Sequence, residues 1–238
     1  MIDQPLNLIL LPGMDGTGEL FAEIVRELPG WLWPRVVRYP RDKKLSLGEL
    51  QSIALDAIPA GKPFVLLGDS FSSLVAVRIS AERPEDLRAV VICAGFVSSP
   101  VTGLRRRLAC LMAPLSFHVK APGIAVKRYL LGRSSSASLV KRVQAATVSV
   151  AGRVMRHRLR MILACNEDAA LEKVVVPVLY VQAAGDRLVA ASAFERIQKI
   201  QPGAVLVRID GPHLILQTKP REAVGAITAF LQSQSTSG

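Results

Sequence analysis

Between Leu87 and Asn166 the chain contains no aspartate and no glutamate. The same stretch holds 14 of the 30 lysines and arginines, so the rest of the chain carries 16 basic against 19 acidic residues. The formal charge of +11 therefore belongs to one segment, and the change in composition marks that segment as a separate piece of the architecture. Aromatic residues are scarce at 5%, and no nucleic-acid-binding module accompanies the basic residues, which argues against RNA or DNA as a partner. Cys93, Cys110 and Cys165 are odd in number and lack paired spacing. They fit neither a disulfide framework nor a metal site, and suit a reducing compartment such as the cytoplasm. Long apolar runs are missing too. Leu6 to Leu11 has only strand length and ends in Pro-Gly, and no basic flank precedes it, so neither a signal peptide nor a membrane span is expected. Histidine is the scarcest useful side chain: only His118, His157 and His213 are available as a general base.

Against these absences stand 238 residues, 50% hydrophobic and 21% charged, enough for one well-buried domain with an insertion or for two small domains. Short apolar runs recur, each closed by turn residues: Leu6–Leu11, Arg35–Tyr39, Pro63–Leu67, Ala89–Ala94, Val176–Gln182 and Val205–Ile209. Most are continuous rather than alternating, as in parallel strands covered on both faces. Helical spacing links them over Leu20–Leu28, Ser46–Ile58 (with Ser46 and Glu49 as a capping box), Ser70–Ala81, Ala191–Ile200 and Pro220–Leu231. The pattern predicts an α/β fold with a mostly parallel, doubly wound sheet of about six strands. Residues 99–170 break the rhythm. They hold three or four helical segments, split near Ala113-Pro114, Ala121-Pro122-Gly123 and Ser134–Ser138, and no convincing strand. The expected division is a core of 1–98 and 171–238 with 99–170 as an inserted, basic helical cap.

The greasy Pro63–Leu67 run ends abruptly in Gly68-Asp69-Ser70-Phe71-Ser72-Ser73. A nucleophilic serine needs exposure at a strand end, a base, and donors for the oxyanion. A sharp strand–turn–helix supplies the first, provided the residues two before and two after are small, as Gly68 and Ser72 are. The bland alternative for Ser70 is a helix cap. Asp69, next to the elbow, is expected to point away from the site in a structural or substrate-shaping role, and Ser72 and Ser73 to serve packing and the helix start. In such sheets sites form at the carboxyl ends of strands. There the first strand runs into Gly13-Met14-Asp15-Gly16-Thr17-Gly18, whose glycines let backbone amides approach the same point as the amide of Phe71. A phosphate-binding loop is disfavoured, because the glycines match neither G-x-G-x-x-G nor a following GK[ST]. His213, in Asp210-Gly211-Pro212-His213 after the last strand, is placed for the base. Asp186, after an earlier strand, is placed for the orienting acid, with Asp210 as the fallback.

Leu11 to Phe21, Gly68 to Ser73 and Gly211 to Gln217 resemble the LPGxDGTGxLF, G-[DE]-S-F-S-G and GPHxxLQ motifs of small esterases and lipase-like members of the α/β-hydrolase family. Ser73 stands where glycine is common. The resemblance implies Ser70 as nucleophile, His213 as base, Asp186 as acid and the amides of Met14 and Phe71 as oxyanion hole. Gly13 and Asp15 are expected to border the substrate. The expected activity is hydrolysis of short- to medium-chain carboxylic esters through an acyl-enzyme, with no metal or organic cofactor. Two other readings stay open. One is a thioesterase or esterase on acyl-carrier-protein or coenzyme A substrates, with the basic cap meeting an anionic substrate, an acidic carrier or an anionic membrane surface. The other is a non-catalytic module binding a ligand or a membrane.

Overall fold

The structure is a computed structural model and describes residues 5–101, 103 and 121–235. Arg105, Arg106, Arg107, Cys110 and His118, and the break expected at Ala113-Pro114, lie outside the described residues. Strands β1 (Leu6–Leu11), β2 (Leu32–Val36), β3 (Phe64–Asp69), β4 (Leu87–Cys93), β5 (Val178–Ala183) and β6 (Val205–Ile209) form one sheet in the order β2-β1-β3-β4-β5-β6. All neighbouring strands are parallel. Parallel strands require crossovers, and helices α1 (Ala22–Glu27), α2 (Leu47–Asp56) and α3 (Ser73–Ala81) provide them in the first half. Helices α4 (Gly123–Val126), α5 (Ala137–Val148), α6 (Gly152–Ala164) and α7 (Asp168–Leu171) lie between β4 and β5. Helices α8 (Ser192–Ile200), α9 (Ile215–Thr218) and α10 (Pro220–Ser235) complete the chain.

The continuous apolar strands split their side chains between two cores, because successive residues face opposite sides of a sheet. Ile9, Leu11, Leu66, Val90, Ile92 and Tyr180 pack with Leu50 and Ala54 of α2, Leu74 of α3, and Phe194 and Ile197 of α8. Leu8, Leu10, Val65, Leu67, Val91 and Leu179 pack on the other face with Ile24 of α1 and Ile227 and Phe230 of α10. The Ser46 capping box forms as expected, with the Glu49 N–H donating to Ser46 Oγ and the Ser46 N–H to Glu49 Oε2. Several expected boundaries move, β4 beginning at Leu87 and β5 at Val178 among them. β2 begins at Leu32 rather than Arg35, because it is an edge strand and tolerates Pro34, which lacks an N–H. The helix expected from Ser70 opens as a 3-10 turn over Ser70–Ser72, and α3 begins only at Ser73.

The chain leaves the sheet domain and returns at one neck. Ser98 and Asn166 form an antiparallel bridge, the Ser99 N–H donates to the Cys165 carbonyl at 3.2 Å and the Glu167 N–H to the Val97 carbonyl at 2.7 Å. Between these points α4 runs on through a π-helical turn at Lys127–Leu131, followed by α5 and α6. Val126, Leu131, Leu139, Val140 and Val143 form a small core of their own, closed against Leu214 and Leu20 of the sheet domain. Among the described residues no helix is long and apolar enough to cross a membrane.

The strand order reverses between β1 and β3: β2 is added on one side of β1, and every later strand on the other. Leu11 lies directly beside Gly68, so the loops beginning at Pro12 and Ser70 leave the sheet together. A crevice at that switch point follows from topology alone.

Candidate active site

Gly68 is required by the turn that carries Ser70. A Cβ on Gly68 would lie 2.7 Å from the Ser72 carbonyl oxygen and 2.8 Å from the Ser73 Cα, both main-chain atoms. Ser70 itself has φ 48°, in the left-handed region that a residue with a Cβ seldom adopts. The turn is held from both sides. The Ser72 hydroxyl donates to the Pro12 carbonyl at 2.5 Å and accepts from Tyr39 Oη at 3.2 Å, which ties the elbow to the loop after β1. Ser73 Oγ accepts from the Phe96 N–H at 3.0 Å and lies 2.7 Å from the Phe96 carbonyl. The extra atoms of Ser73 find room because Gly95 faces them: a Cβ on Gly95 would lie 2.7 Å from the Ser73 Cβ.

Ser70, His213 and Asp186 meet above this edge of the sheet, although they are up to 143 positions apart. Ser70 Oγ is 3.0 Å from His213 Nε2, and His213 Nδ1 is 2.7 Å from Asp186 Oδ2. An ionised carboxylate only accepts, so Nδ1 carries the proton and Nε2 is left to accept from the Ser70 hydroxyl. The His213 and Asp186 side chains are 5% and 6% exposed. Asp186 is oriented by the N–H groups of Leu188 at 2.8 Å and Val189 at 3.0 Å, both donating to Oδ1. The loops that carry acid and base are tied together, since the Gly185 N–H donates to the Gly211 carbonyl at 2.8 Å. The segment between β4 and β5 contacts the loop of the base as well: the Leu214 N–H, next to His213, donates to the Leu130 carbonyl at 2.9 Å. Asp210, the fallback acid, is exposed and is not the partner of Nδ1.

The loop after β1 folds back at once. The Gly16 N–H donates to the Gly13 carbonyl at 2.9 Å. In a trans peptide the C=O and N–H point opposite ways, so the Met14 N–H is directed away from that turn. Gly13 and Met14 border the same cavity as Ser70, and the Phe71 side chain is fully buried, which fixes the amide next to Ser70. Asp15 Oδ1 accepts from the Thr17 N–H at 2.9 Å and from the Thr17 hydroxyl.

One residue of α6 reaches into this loop. Arg158 of α6 is 2% exposed, and its guanidinium donates to the carbonyls of Met14 at 3.0 Å, Asp15 at 2.7 Å and Pro40 at 3.1 Å. Gly16 leaves the space for it: a Cβ there would lie 2.4 Å from Arg158 Nη1.

The cavity over Ser70 and His213 measures about 640 Å³. Its walls are mostly apolar, with Val126, Leu130, Val143, Met155 and Ile162 from the inserted segment facing Phe96, Val189 and Leu214. Asp15 and Asp69 border it too; no lysine or arginine does among the described residues. Burial pushes the Asp69 carboxyl up to about 7; nearby His213 pulls it down, and Asp15 and Asp186 add to the rise. Burial also pushes the Asp15 carboxyl up, against the lowering effect of its Thr17 hydrogen bonds and of Arg158. Asp69 therefore does not point away from the site. It is the last residue of β3 and borders the cavity, and a Cβ on Gly13 would lie 3.5 Å from its Oδ2.

No protein-family model matches the chain. A pyrrolizixenacetamide deacetylase from Xenorhabdus hominickii is 23% identical over 203 residues, covering 81% of this chain and 75% of that protein. Among solved structures, a lipase-esterase related protein from Clostridium acetobutylicum superposes with a TM-score of 0.79 at 15% identity, covering 96% of this chain and 95% of that one. The enol-lactonase from Burkholderia xenovorans gives 0.78 at 16% identity, covering 97% and 92%. This chain has the α/β-hydrolase fold.

Within the α/β-hydrolase fold the structure brings Ser70, His213 and Asp186 into one hydrogen-bonded relay and sets Gly13, Met14 and Asp15 at its side. His157 is not part of it and instead places Nε2 3.1 Å from the Leu45 carbonyl. Among the described residues no group of three or more His, Cys, Asp or Glu side chains is disposed to hold a metal ion. The residue that sequence reasoning missed is Arg158, counted there only as one more charge on the cap. Its signal was positional: Val154, Arg158 and Ile162 follow at four-residue spacing, which puts an arginine on the apolar stripe of α6.

Proposed function

We propose that the protein is a serine hydrolase that cleaves carboxylic esters of short to medium acyl length. Ser70 Oγ attacks the carbonyl carbon while His213 Nε2 takes the hydroxyl proton, and Asp186 holds the resulting imidazolium through Nδ1–H. The N–H groups of Met14 and Phe71 receive the oxyanion. Collapse of the tetrahedral intermediate breaks the bond to the alkoxy group, which leaves with the proton from Nε2. Water, deprotonated by the same nitrogen, then releases the acid and restores Ser70. The reading needs no metal or organic cofactor. The observation that carries it is the Ser70–His213–Asp186 relay, at 3.0 and 2.7 Å, beneath an apolar cavity. The hydrolase names among the fold neighbours and the deacetylase relative support the same class of chemistry.

Amide hydrolysis is the second reading, favoured by the deacetylase relative. The relay is unchanged, and Nε2 hands its proton to a departing amine. The test for both is turnover of p-nitrophenyl butyrate and of the matching anilide. Ser70→Ala is expected to lower kcat by at least about 10⁴-fold. Unimpaired turnover by that variant would end the assignment.

A further inference from the structure

The Asp69 carboxyl is the unexplained group of the site. It is 4% exposed, borders the cavity that holds Ser70 and His213, and receives no hydrogen bond from any described residue. A buried carboxyl without a donor is costly, and proteins retain one mainly where something else completes it.

We propose that Asp69, together with Asp15 across Gly13, is a substrate subsite beside Ser70 that accepts hydrogen bonds from a protonated amine. It rests on the hydrolase reading only for the place of the scissile bond. The two carboxyls flank the bare α-carbon of Gly13: a Cβ there would lie 3.5 Å from Asp69 Oδ2 and 3.8 Å from Asp15 Oδ2. Thr17 occupies Asp15 Oδ1, so Oδ2 is the oxygen on the Gly13 side. The buried cation next to this loop, Arg158, points its donors at the carbonyls of Met14, Asp15 and Pro40 and leaves both carboxyl groups unbridged. Among the described residues the lining holds two acids beside Ser70, no lysine or arginine, Gln144 and Thr147 as further neutral polar groups, and mostly apolar side chains elsewhere.

An ammonium group supplies several N–H donors and the opposite charge, and its arrival favours ionisation of a carboxyl that burial holds back. A hydroxyl supplies one donor and no charge. A carboxylate would meet two acids. The substrate class is therefore an ester or amide that carries an amino group near its reacting carbonyl and hydrocarbon beyond it. Among the described residues, Arg128, Arg133, Arg153 and Arg160 of the inserted segment are exposed and do not border the cavity.

The experiment compares n-butylammonium, 1-butanol and butanoate at pH 8. Each is measured for thermal protection of the protein and for competition with p-nitrophenyl butyrate. The expected order is butylammonium, then butanol, then butanoate, with at least tenfold between the first and last. Asp69→Asn should erase the preference and Asp15→Asn should reduce it. Equal binding of the three probes, or a preference that survives in Asp69→Asn, would overturn the proposal. Should Asp69→Asn fail to fold, the probe order in the unmodified protein and in Asp15→Asn decides. If the protein does not hydrolyse the ester at all, the hydrolase reading falls, while thermal protection still decides the subsite.

Discussion

Replacing Arg158 with alanine removes three hydrogen bonds at once, to the carbonyls of Met14, Asp15 and Pro40. Each carbonyl left buried without a donor costs about 1–3 kcal/mol, and water entering the vacated space recovers part of that. A net loss of about 3–5 kcal/mol is expected, within the roughly 5–15 kcal/mol by which domains are stable, so the variant folds. The larger effect is local. Freed of the guanidinium, the peptide units after Met14 can turn, and the Met14 N–H loses its aim. Loss of one oxyanion donor lowers kcat by about 10²–10³-fold. KM should change little, because Arg158 does not border the cavity. Arg158→Lys keeps the charge, but one ammonium cannot reach carbonyls on both the Met14 and Pro40 loops, so it restores only part of the rate. The assay is kcat and KM on p-nitrophenyl butyrate beside urea unfolding, with millimolar guanidinium added back to Arg158→Ala. Rescue of kcat by guanidinium identifies the clamp on the loop. A folded Arg158→Ala protein with unchanged kcat would refute the reasoning, whatever its stability.

Two further outcomes follow from the same geometry. Gly68→Ala forces a Cβ against main-chain atoms of Ser72 and Ser73, which cannot swing aside; urea unfolding should show a loss of about 3 kcal/mol or more, and a loss below 1 would contradict the close approach. Asp69 gives a pH signature with a definite sign. Its folded pKa, about 7, lies above the ordinary 3.8, so the folded protein keeps a proton that the unfolded chain has released. The stability this acid contributes is full below pH 3.8 and is lost as pH rises to about 7, by at most about 4 kcal/mol. Asp69→Asn should therefore gain on the unmodified protein between pH 4 and 7 and then level off; a difference independent of pH would count against a buried acid there.

Much of this was legible from residue order. Continuous runs such as Leu6–Leu11 and Pro63–Leu67 read as strands because a sheet covered on both faces asks for apolar side chains on both. Ser46 and Glu49 announced the start of α2 because capping chemistry is local. Ser70, Asp186 and His213 were legible because each follows a strand, and parallel topology collects strand ends. Contacts made by a side chain far from its neighbours in sequence were harder to read. Spacing could place Arg158 on a stripe of α6, but its carbonyl partners in the Met14 and Pro40 loops exist only after the chain returns over the sheet. That Asp69 lies beside Gly13 and borders the cavity is not encoded in its adjacency to Ser70. The start of β2 was obscured by Pro34, a strand breaker everywhere except at a sheet edge.

The account stands on Ser70 being activated by His213. An alkyl fluorophosphonate reacts only with a serine whose proton is being taken. Mass spectrometry of the treated protein should find one phosphonyl group per chain, on Ser70, with the reaction nearly abolished in His213→Ala. An unmodified Ser70, or equal labelling in the His213→Ala protein, would contradict it.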